Sequence, residues 1–343
     1  MSGGTVASVP EGLLDEGVWF RVEAAGTAAA VRRTAERLAT DLAMPEARIA
    51  ELSIVAAEAA GNLVKHAQQG TMLVRALRTA DQAGVELIAI DSGPGIADVE
   101  HALGDGHSTA GTLGIGLGAI LRQASHWDMH SLPGKGTVLA VQVWAQGTPE
   151  PSWAAGLTRP IGGETVSGDA VAIRDLDGRR QLLVSDGLGH GGLAAAASRE
   201  AVRAFRQAAS GPPAAVVEVL HRTLGHTRGA ALAVAELDQA AGLVRYAGLG
   251  NISGTVFGPD GSRRGMISVP GIAGHQRRQV REYDYPLLPG AIVVMHSDGV
   301  VDRWNPTEYP GLLTRSPEVI AGTVLRDAGT RRDDAGVLVA RLP

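Results

Sequence analysis

The sequence predicts two α/β domains in series. Helix-spaced and strand-like segments follow one another over the first 145 residues, and strand patterns dominate after residue 158. Between them lies AQGTPEPSWAAGLT, rich in Gly, Pro and small residues, which reads as a linker. A chain of 343 residues also has the length for two domains at roughly 150 residues each.

The elements follow in order. GVWFRVE at 17–23 reads as a strand. From 28 to 42 the apolar Val31, Ala35, Leu38 and Leu42 recur at helical spacing. Pro45 stands where a second helix begins, a favoured place for proline. Ile49, Leu52, Ala56, Ala59 and Leu63 form the buried stripe of that helix, which ends near His66. Strands are expected at 71–78 and 84–90, a helix from about 114 to 126, and a strand at 136–144. The second half shows strands at 169–175, 181–185, 230–236, 243–248, 253–257, 291–296 and 335–341. Helices fit 192–209, 213–225 and 317–327, and DGRR and PDGS read as hairpin turns.

Composition removes several functional classes. Net charge is -5 and the pI about 6.1, with no basic stripe, so nucleic acid is not an expected partner. There is no cysteine, which excludes disulfides and thiolate chemistry and fits a reducing compartment. Apolar runs are far shorter than the roughly 20 residues that span a bilayer. The N-terminal MSGGTVASVPEG lacks the pattern of a signal peptide. A soluble cytoplasmic protein, with no membrane association, is expected.

Glu58, Asn62 and His66 are spaced i, i+4, i+8 and share one helix face. A carboxylate, an amide and an imidazole so aligned either hold a metal–phosphate group or form a solvated polar stripe. Asp91 ends an apolar strand and begins DSGPGI, where its carboxylate is placed to accept a hydrogen bond from an adenine amino group. Gly93 and Gly95 allow close approach of the backbone to a ligand. GTLGIGLG at 111–118 opens a helix, and its free N–H groups suit phosphate oxygens.

These three pieces, in this order, resemble the GHKL ATPase family, which includes histidine kinases, gyrase, Hsp90 and bacterial anti-sigma kinases. EAAGNLVKH is similar to its N box, and DSGPGI and GTLGIGLGA to its two glycine boxes. The resemblance implies a Bergerat-type α/β sandwich over 11–145 that binds ATP and Mg²⁺. It implies that Asn62 holds Mg²⁺, Glu58 polarises the attacking group, and His66 lies at the nucleotide site or packs on the lid. Asp91 would bind adenine, with Gly93 and Gly95 beside it. Gly114, Gly116 and Gly118 would meet phosphate, and Thr137 in GKGT the adenine edge. Within that family the stretch from DSGPGI to GLGAI most resembles RsbT-type switch kinases, which phosphorylate Ser or Thr on STAS-domain partners. None of the ten histidines lies in a phosphoacceptor context.

The second half carries four aspartates in tight local motifs: Asp169 in VSGDA, Asp186 in SDGLGHG, Asp298 in SDGV and Asp333 in RDDAG. Carboxylates at strand ends, converging from distant sequence, supply the oxygen ligands that hard divalent ions need. Two adjacent ions can bridge a hydroxide and align it with a phosphate ester. No cysteine or histidine cluster competes, which favours Mg²⁺ or Mn²⁺ over zinc. Asp-Gly is also a common turn, and the pairs at 177–178 and 260–261 are read as that alone.

The ordered set SGD, SDGLGHG, GLGNI, PG, SDG and DD resembles the SpoIIE/RsbX branch of the PP2C metal-dependent Ser/Thr phosphatases. The resemblance implies an α-β-β-α sandwich over 158–343, joined to the first domain by a linker at 146–157. It implies that Asp186 bridges two Mn²⁺ or Mg²⁺ ions with the Gly187 carbonyl as a further ligand. Asp169 would hold one ion, and Asp298 and Asp333 the other; the neighbouring Asp334 would instead orient water. His190 is either a proton donor to the leaving oxygen or a loop residue. Arg159, Arg174 and Arg199 are equal candidates for gripping the substrate phosphate.

Together the two resemblances imply a bifunctional regulator of a bacterial stress or sigma-factor partner switch. It would phosphorylate a STAS-domain protein, an anti-anti-sigma factor or stressosome scaffold, and hydrolyse its phosphoserine or phosphothreonine. The alternative is a metal-dependent phosphatase whose N-terminal domain only senses ATP or docks a partner.

Overall fold

The computed structural model describes residues 17–99, 102, 116–162, 164–176, 179–276, 279–302, 304–330 and 332–341. They fall into two compact units. The first contains the described residues up to Pro151 together with Tyr309–Arg326. The second contains Ser152–Glu308 and the described residues from Asp327 onward.

The first unit is a five-stranded antiparallel sheet with two long helices on one face. The strands are β1 (Val18–Arg21), β2 (Thr71–Arg78), β3 (Ala83–Ile90), β4 (His126–Leu132) and β5 (Gly136–Trp144), in spatial order β1-β2-β3-β5-β4. The helices are α1 (Ala25–Asp41), α2 (Glu46–His66) and the short α3 (Gly116–Gln123). Val31, Ala35 and Ala39 on α1, and Leu52, Val55, Ala56, Ala59 and Leu63 on α2, repeat at three- and four-residue intervals and are buried. They pack on Met72, Val74, Val85, Leu87, Leu139 and Val141, every second residue of three neighbouring strands. Helix α1 ends where Ala43 takes a left-handed φ of 53°, and α2 starts directly after Pro45. The strand β4 is additional to the sequence expectation. Its polar face and its place directly after a helix gave HWDMHSL no alternating apolar pattern.

The opposite face of this sheet presents the in-register polar row Arg75, Glu86 and Gln142. Arg75 Nε donates to Glu86 Oε2 at 2.6 Å and Gln142 Nε2 to Glu86 Oε1 at 2.7 Å. Arg75 and Glu86 are nonetheless buried, at 3% and 1% exposure. The segment Tyr309–Arg326 belongs to this face. Ser316 N donates to Asp128 Oδ2 at 2.5 Å and His130 Nε2 meets Pro310 O at 3.1 Å. Gly322 lies against Val138, close enough that a Cβ would stand 2.8 Å from its methyl. The helix within that segment, α6 (Pro317–Asp327), therefore groups with the N-terminal unit although the chain reaches it only after most of the second unit is built.

The second unit stacks two sheets. One runs β13-β10-β9-β8-β7 with β14 also on β10; the other runs β12-β11-β15-β16-β6. The first comprises β7 (Asp169–Leu176), β8 (Arg179–Gly187), β9 (Ala230–Asp238), β10 (Leu243–Leu249), β13 (Ser268–Val269) and β14 (Tyr283–Pro286). The second comprises β6 (Ala154–Arg159), β11 (Ser253–Phe257), β12 (Arg263–Met266), β15 (Ile292–His296) and β16 (Ala335–Arg341). The sheets meet where Gly156 on β6 lies against Val171 and Gly336 on β16 lies against Asp169. Helices α4 (Gly192–Gln207) and α5 (Pro213–Thr223) cover the six-stranded sheet. There Phe205, Val216, Val217 and Leu220 bury against Leu183, Leu232, Val234 and Leu249. Full burial of each such side chain stabilises by about 1.5–3 kcal/mol.

The linker expected over 146–157 is shorter than its composition implied. Ala154–Arg159 is β6, paired in register with Ala335–Ala340 of β16. Small residues in that run are required by strand-on-strand packing rather than by a free tether. The turn PDGS does connect a hairpin, β11 to β12, closed by Gly258 N to Ser262 O at 2.9 Å. The DGRR turn at 177–178 lies outside the described residues.

Candidate active sites

The first site is built where α2 ends and β3 ends. Glu58 and Asn62 are half-buried and His66 is exposed at the last turn of α2. The strand β3 delivers Asp91, whose Oδ1 accepts the Gly93 N–H at 2.7 Å, an Asx turn that shapes DSGPGI. Ser92 N donates to Gln68 O at 2.9 Å, tying this loop to the residues just past α2. Asp91 N also donates to Thr137 O at 2.9 Å, and Thr137 Oγ1 pairs with Ser131 Oγ at 2.8 Å. Gly95, at φ 70°, lies so close to Leu132 O that any Cβ would collide with it. The end of α2, DSGPGI and Thr137 of GKGT thus adjoin, while residues 111–115 of the third sequence piece, GTLGIGLGA, lie outside the described residues. Gly116 and Gly118 lie in the first turn of α3, and Gly114 lies outside the described residues.

Burial raises the Asp91 carboxyl above its ordinary range, while the Gly93 N–H, the Arg326 charge and the Thr137 contact pull it back. Arg326 Nη1 donates to Asp91 O at 3.3 Å, a contact from α6 that sequence reasoning did not reach. The spacing of α6 signalled a helix; nothing in it signalled which sheet the helix covers.

The second site lies at the ends of β7, β8 and β15 and just before β16. Asp169 and Asp186 are directly opposite in the β7–β8 ladder. Ser297 Oγ donates to Asp169 Oδ2 at 2.6 Å and itself accepts Gly336 N–H at 2.9 Å, linking β7 to β15 and β16. Asn251 Nδ2 donates to Asp298 Oδ2 at 2.6 Å. Asp334, beside Asp333, is a brace: its carboxylate accepts Ile161 N–H at 2.7 Å and Gly168 N–H at 2.9 Å. A side chain at Gly187 would collide with Ala194 O, so the turn from β8 into α4 depends on glycine there.

Burial pushes Asp169 well above the usual carboxylate range, and the charges of Asp186, Asp334 and Asp298 add to it against the Ser297 hydrogen bond. Burial, then Asp298, Asp333 and Asp334, carry Asp186 up to about 7. Asp298 is raised by burial and by Asp333. The predicted aspartates therefore act on one another, and no cation stands among the groups that shift them. Among the described residues no three acidic or imidazole groups stand close enough together to hold a metal ion as they are placed. Carboxylate oxygens are the donor type that hard divalent cations take.

The phosphate-binding candidates separate clearly. Arg174 is core: its guanidinium donates to Gln181 Oε1, Phe205 O and Ala208 O and stacks on the Phe205 ring. Arg159 donates to Thr330 O at 2.9 Å. Arg199 is exposed on α4. His190 Nδ1 meets Glu164 Oε1 at 3.3 Å on the surface of the loop after β8.

Residues 20–143 match the histidine kinase-like ATPase domain, and residues 176–343 match the stage II sporulation protein E domain. The serine/threonine-protein kinase RsbT of Bacillus subtilis (strain 168) is 30% identical over 115 residues, which span 34% of this chain and 86% of RsbT. A chain solved in work on the bacterial stressosome, a modular system adapted to control secondary messenger signalling, is 29% identical with a TM-score of 0.51. That match covers 55% of this chain and 98% of the other. RsbX in complex with magnesium shares the fold, at 19% identity and TM-score 0.50, over 55% of this chain and 94% of RsbX. Over its N-terminal part the chain belongs to the RsbT kinase family, and residues 176–343 of the same polypeptide match the stage II sporulation protein E domain. Those domain types imply ATP and a divalent metal. No helix among the described residues is long and apolar enough to cross a membrane.

Proposed function

We propose that this chain sets the phosphorylation state of one partner protein from both directions. Its N-terminal unit phosphorylates Ser or Thr with ATP and Mg²⁺, and its C-terminal unit hydrolyses the resulting phosphoester with two Mn²⁺ or Mg²⁺ ions. The partner class is a STAS-domain protein, an anti-anti-sigma factor or stressosome scaffold. The observation that carries the reading is the aspartate group Asp169, Asp186, Asp298 and Asp333 at the strand ends, each at the edge of or next to a strand, in a chain whose N-terminal part is an RsbT homologue.

In the kinase half, Glu58 is the general base for the attacking hydroxyl, and Asn62, one turn further along α2, is the Mg²⁺ ligand. Asp91 accepts from adenine, with Gly93 and Gly95 beside the ring and Thr137 at its edge. His66 borders the phosphates, and the backbone of Gly114, Gly116 and Gly118 meets them. In the phosphatase half, Asp186 and the Gly187 carbonyl would serve both divalent ions, Asp169 would hold one of them, and Asp298 and Asp333 would hold the other. When bound, such ions would supply a hydroxide nucleophile near neutral pH and offset charge on the phosphoryl group. Asp186 must release its proton before it can ligate. Ser297 keeps one Asp169 oxygen engaged and so sets which oxygen is free.

Joining opposed activities raises the effective concentration of each at a shared partner. The test is phosphate incorporation from ATP into a purified STAS-domain protein, followed by release on addition of Mn²⁺. Incorporation and release at the same Ser or Thr supports the proposal. Incorporation and release at different residues, or neither reaction, contradicts it.

A further inference from the structure

The nucleotide site receives a residue from far along the chain. Arg326, 235 residues after Asp91, donates from Nη1 to Asp91 O at 3.3 Å. It stands in the last turn of α6, within the segment Tyr309–Arg326 that groups with the N-terminal unit. We propose that Arg326 is a positioning residue for base recognition, fixing Asp91 where its carboxylate meets the adenine amino group. This rests on the reading of Asp91 as the adenine acceptor and deepens it.

Helix α6 crosses the sheet so that its end falls on Asp91. Gly322 lies against Val138 and Ile90, and a Cβ there would stand 2.8 Å and 3.5 Å from their side chains. Ile90 directly precedes Asp91, and Val138 directly follows Thr137. Asp91 and Thr137 exchange backbone hydrogen bonds of 2.9 Å and 3.2 Å. Arg326 is one turn beyond Gly322 and so shares its helix face. The start of the segment is held as well. Ser316 N donates to Asp128 Oδ2 at 2.5 Å, and Lys135 Nζ lies over the Tyr309 ring, 4.1 Å from its centroid.

A basic residue in the last turn favours any helix. Arg326 does more, because its guanidinium leaves its own helix for a strand end. Asp91 O takes two donors, Thr137 N–H and Arg326, while Asp91 Oδ1 accepts the Gly93 N–H at 2.7 Å. The main chain and one carboxylate oxygen are thus fixed, and the other oxygen is the one a base amino group meets. Charge acts in the same sense. Burial raises the Asp91 carboxyl, and Arg326, after the Gly93 N–H, draws it back down. An ionised carboxylate is the stronger acceptor for an amino hydrogen. Base recognition in the first half of the chain therefore depends on a residue from the second half.

The test is nucleotide titration into the full chain with Mg²⁺, using ATP and purine riboside triphosphate, which lacks only the 6-amino group. Wild type should prefer ATP by at least about 10-fold, the worth of a hydrogen bond to a charged group. R326A should lower that preference by about 3- to 10-fold and change purine riboside triphosphate binding by less than about 2-fold. R326K keeps the charge and should restore part of the preference. In a D91A chain, R326A should lower the preference no further. A residue that only braced the fold would weaken both nucleotides alike; that result, or an unchanged preference in R326A, overturns the assignment. A wild-type chain with no preference, or one that keeps it as D91A, overturns the adenine role of Asp91 and the proposal with it. A preference lost in D91A and intact in R326A overturns the role of Arg326 alone.

Discussion

Replacing Asp186 by Asn should make the metal-free protein more stable and the metal-treated protein less responsive. In the folded chain Asp186 is carried from the ordinary 3.8 to about 7 by burial and by Asp298, Asp333 and Asp334. A rise of about 3 units corresponds to about 4 kcal/mol at 1.36 kcal/mol per unit. For a carboxyl whose folded pKa is raised, the stabilising contribution is present below the unfolded value near 4. It is lost as pH rises through about 7. In EDTA, wild type should therefore weaken between pH 4 and pH 8, and D186N should remove up to about 4 kcal/mol of that slope. The two proteins should coincide near pH 4 and diverge most at pH 8. Mn²⁺ at pH 8 should stabilise wild type strongly and D186N weakly, since the ion occupies the place the proton left. The assay is urea denaturation, following the transition that responds to metal. A D186N protein no more stable than wild type at pH 8 in EDTA, or one that keeps the full Mn²⁺ response, refutes the reasoning.

Mn²⁺ affinity itself should fall as pH drops below about 7, where Asp186 regains its proton, and a titration series from pH 6 to 8 reads this directly. E58Q should keep ATP binding and lose about 10²- to 10⁴-fold in phosphotransfer to the partner, measured by nucleotide titration beside radiolabel incorporation. G187A should destabilise the C-terminal unit by at least 1 kcal/mol, seen as a lower thermal midpoint, because its Cβ has no room beside Ala194 O. E318Q should stabilise the N-terminal unit at pH 8 and leave it unchanged near pH 4. Burial and Glu86 raise Glu318 to about 7, so its contribution is lost as pH rises from 4.5 through that value.

Much of the architecture was legible because its signals are local. Aspartate beside glycine at the edge of an apolar run marks a strand end: Asp169 begins β7, Asp186 lies in the last two residues of β8, and Asp298 follows β15 by two residues. The helical stripes of α1 and α2 were equally plain, since alanine and leucine at three- and four-residue spacing have no other economical use. What sequence did not disclose was non-local. Nothing local marks Arg75 and Glu86 as buried, and they are buried in a unit that also takes in Tyr309–Arg326. The run SWAAGLTR read as tether because small residues serve both a loop and a strand in close-packed sheets. Arg174 looked available for substrate until its three carbonyl and amide partners in the core were in view.

The most direct measurement is a calorimetric titration of Mn²⁺ into the nucleotide-free full chain at pH 8, repeated with D186N and D298N. Two bound ions per wild-type chain, reduced or abolished in both variants, is the predicted result. Binding that ignores Asp186 and Asp298, or no binding at all, would contradict a shared metal centre at these strand ends.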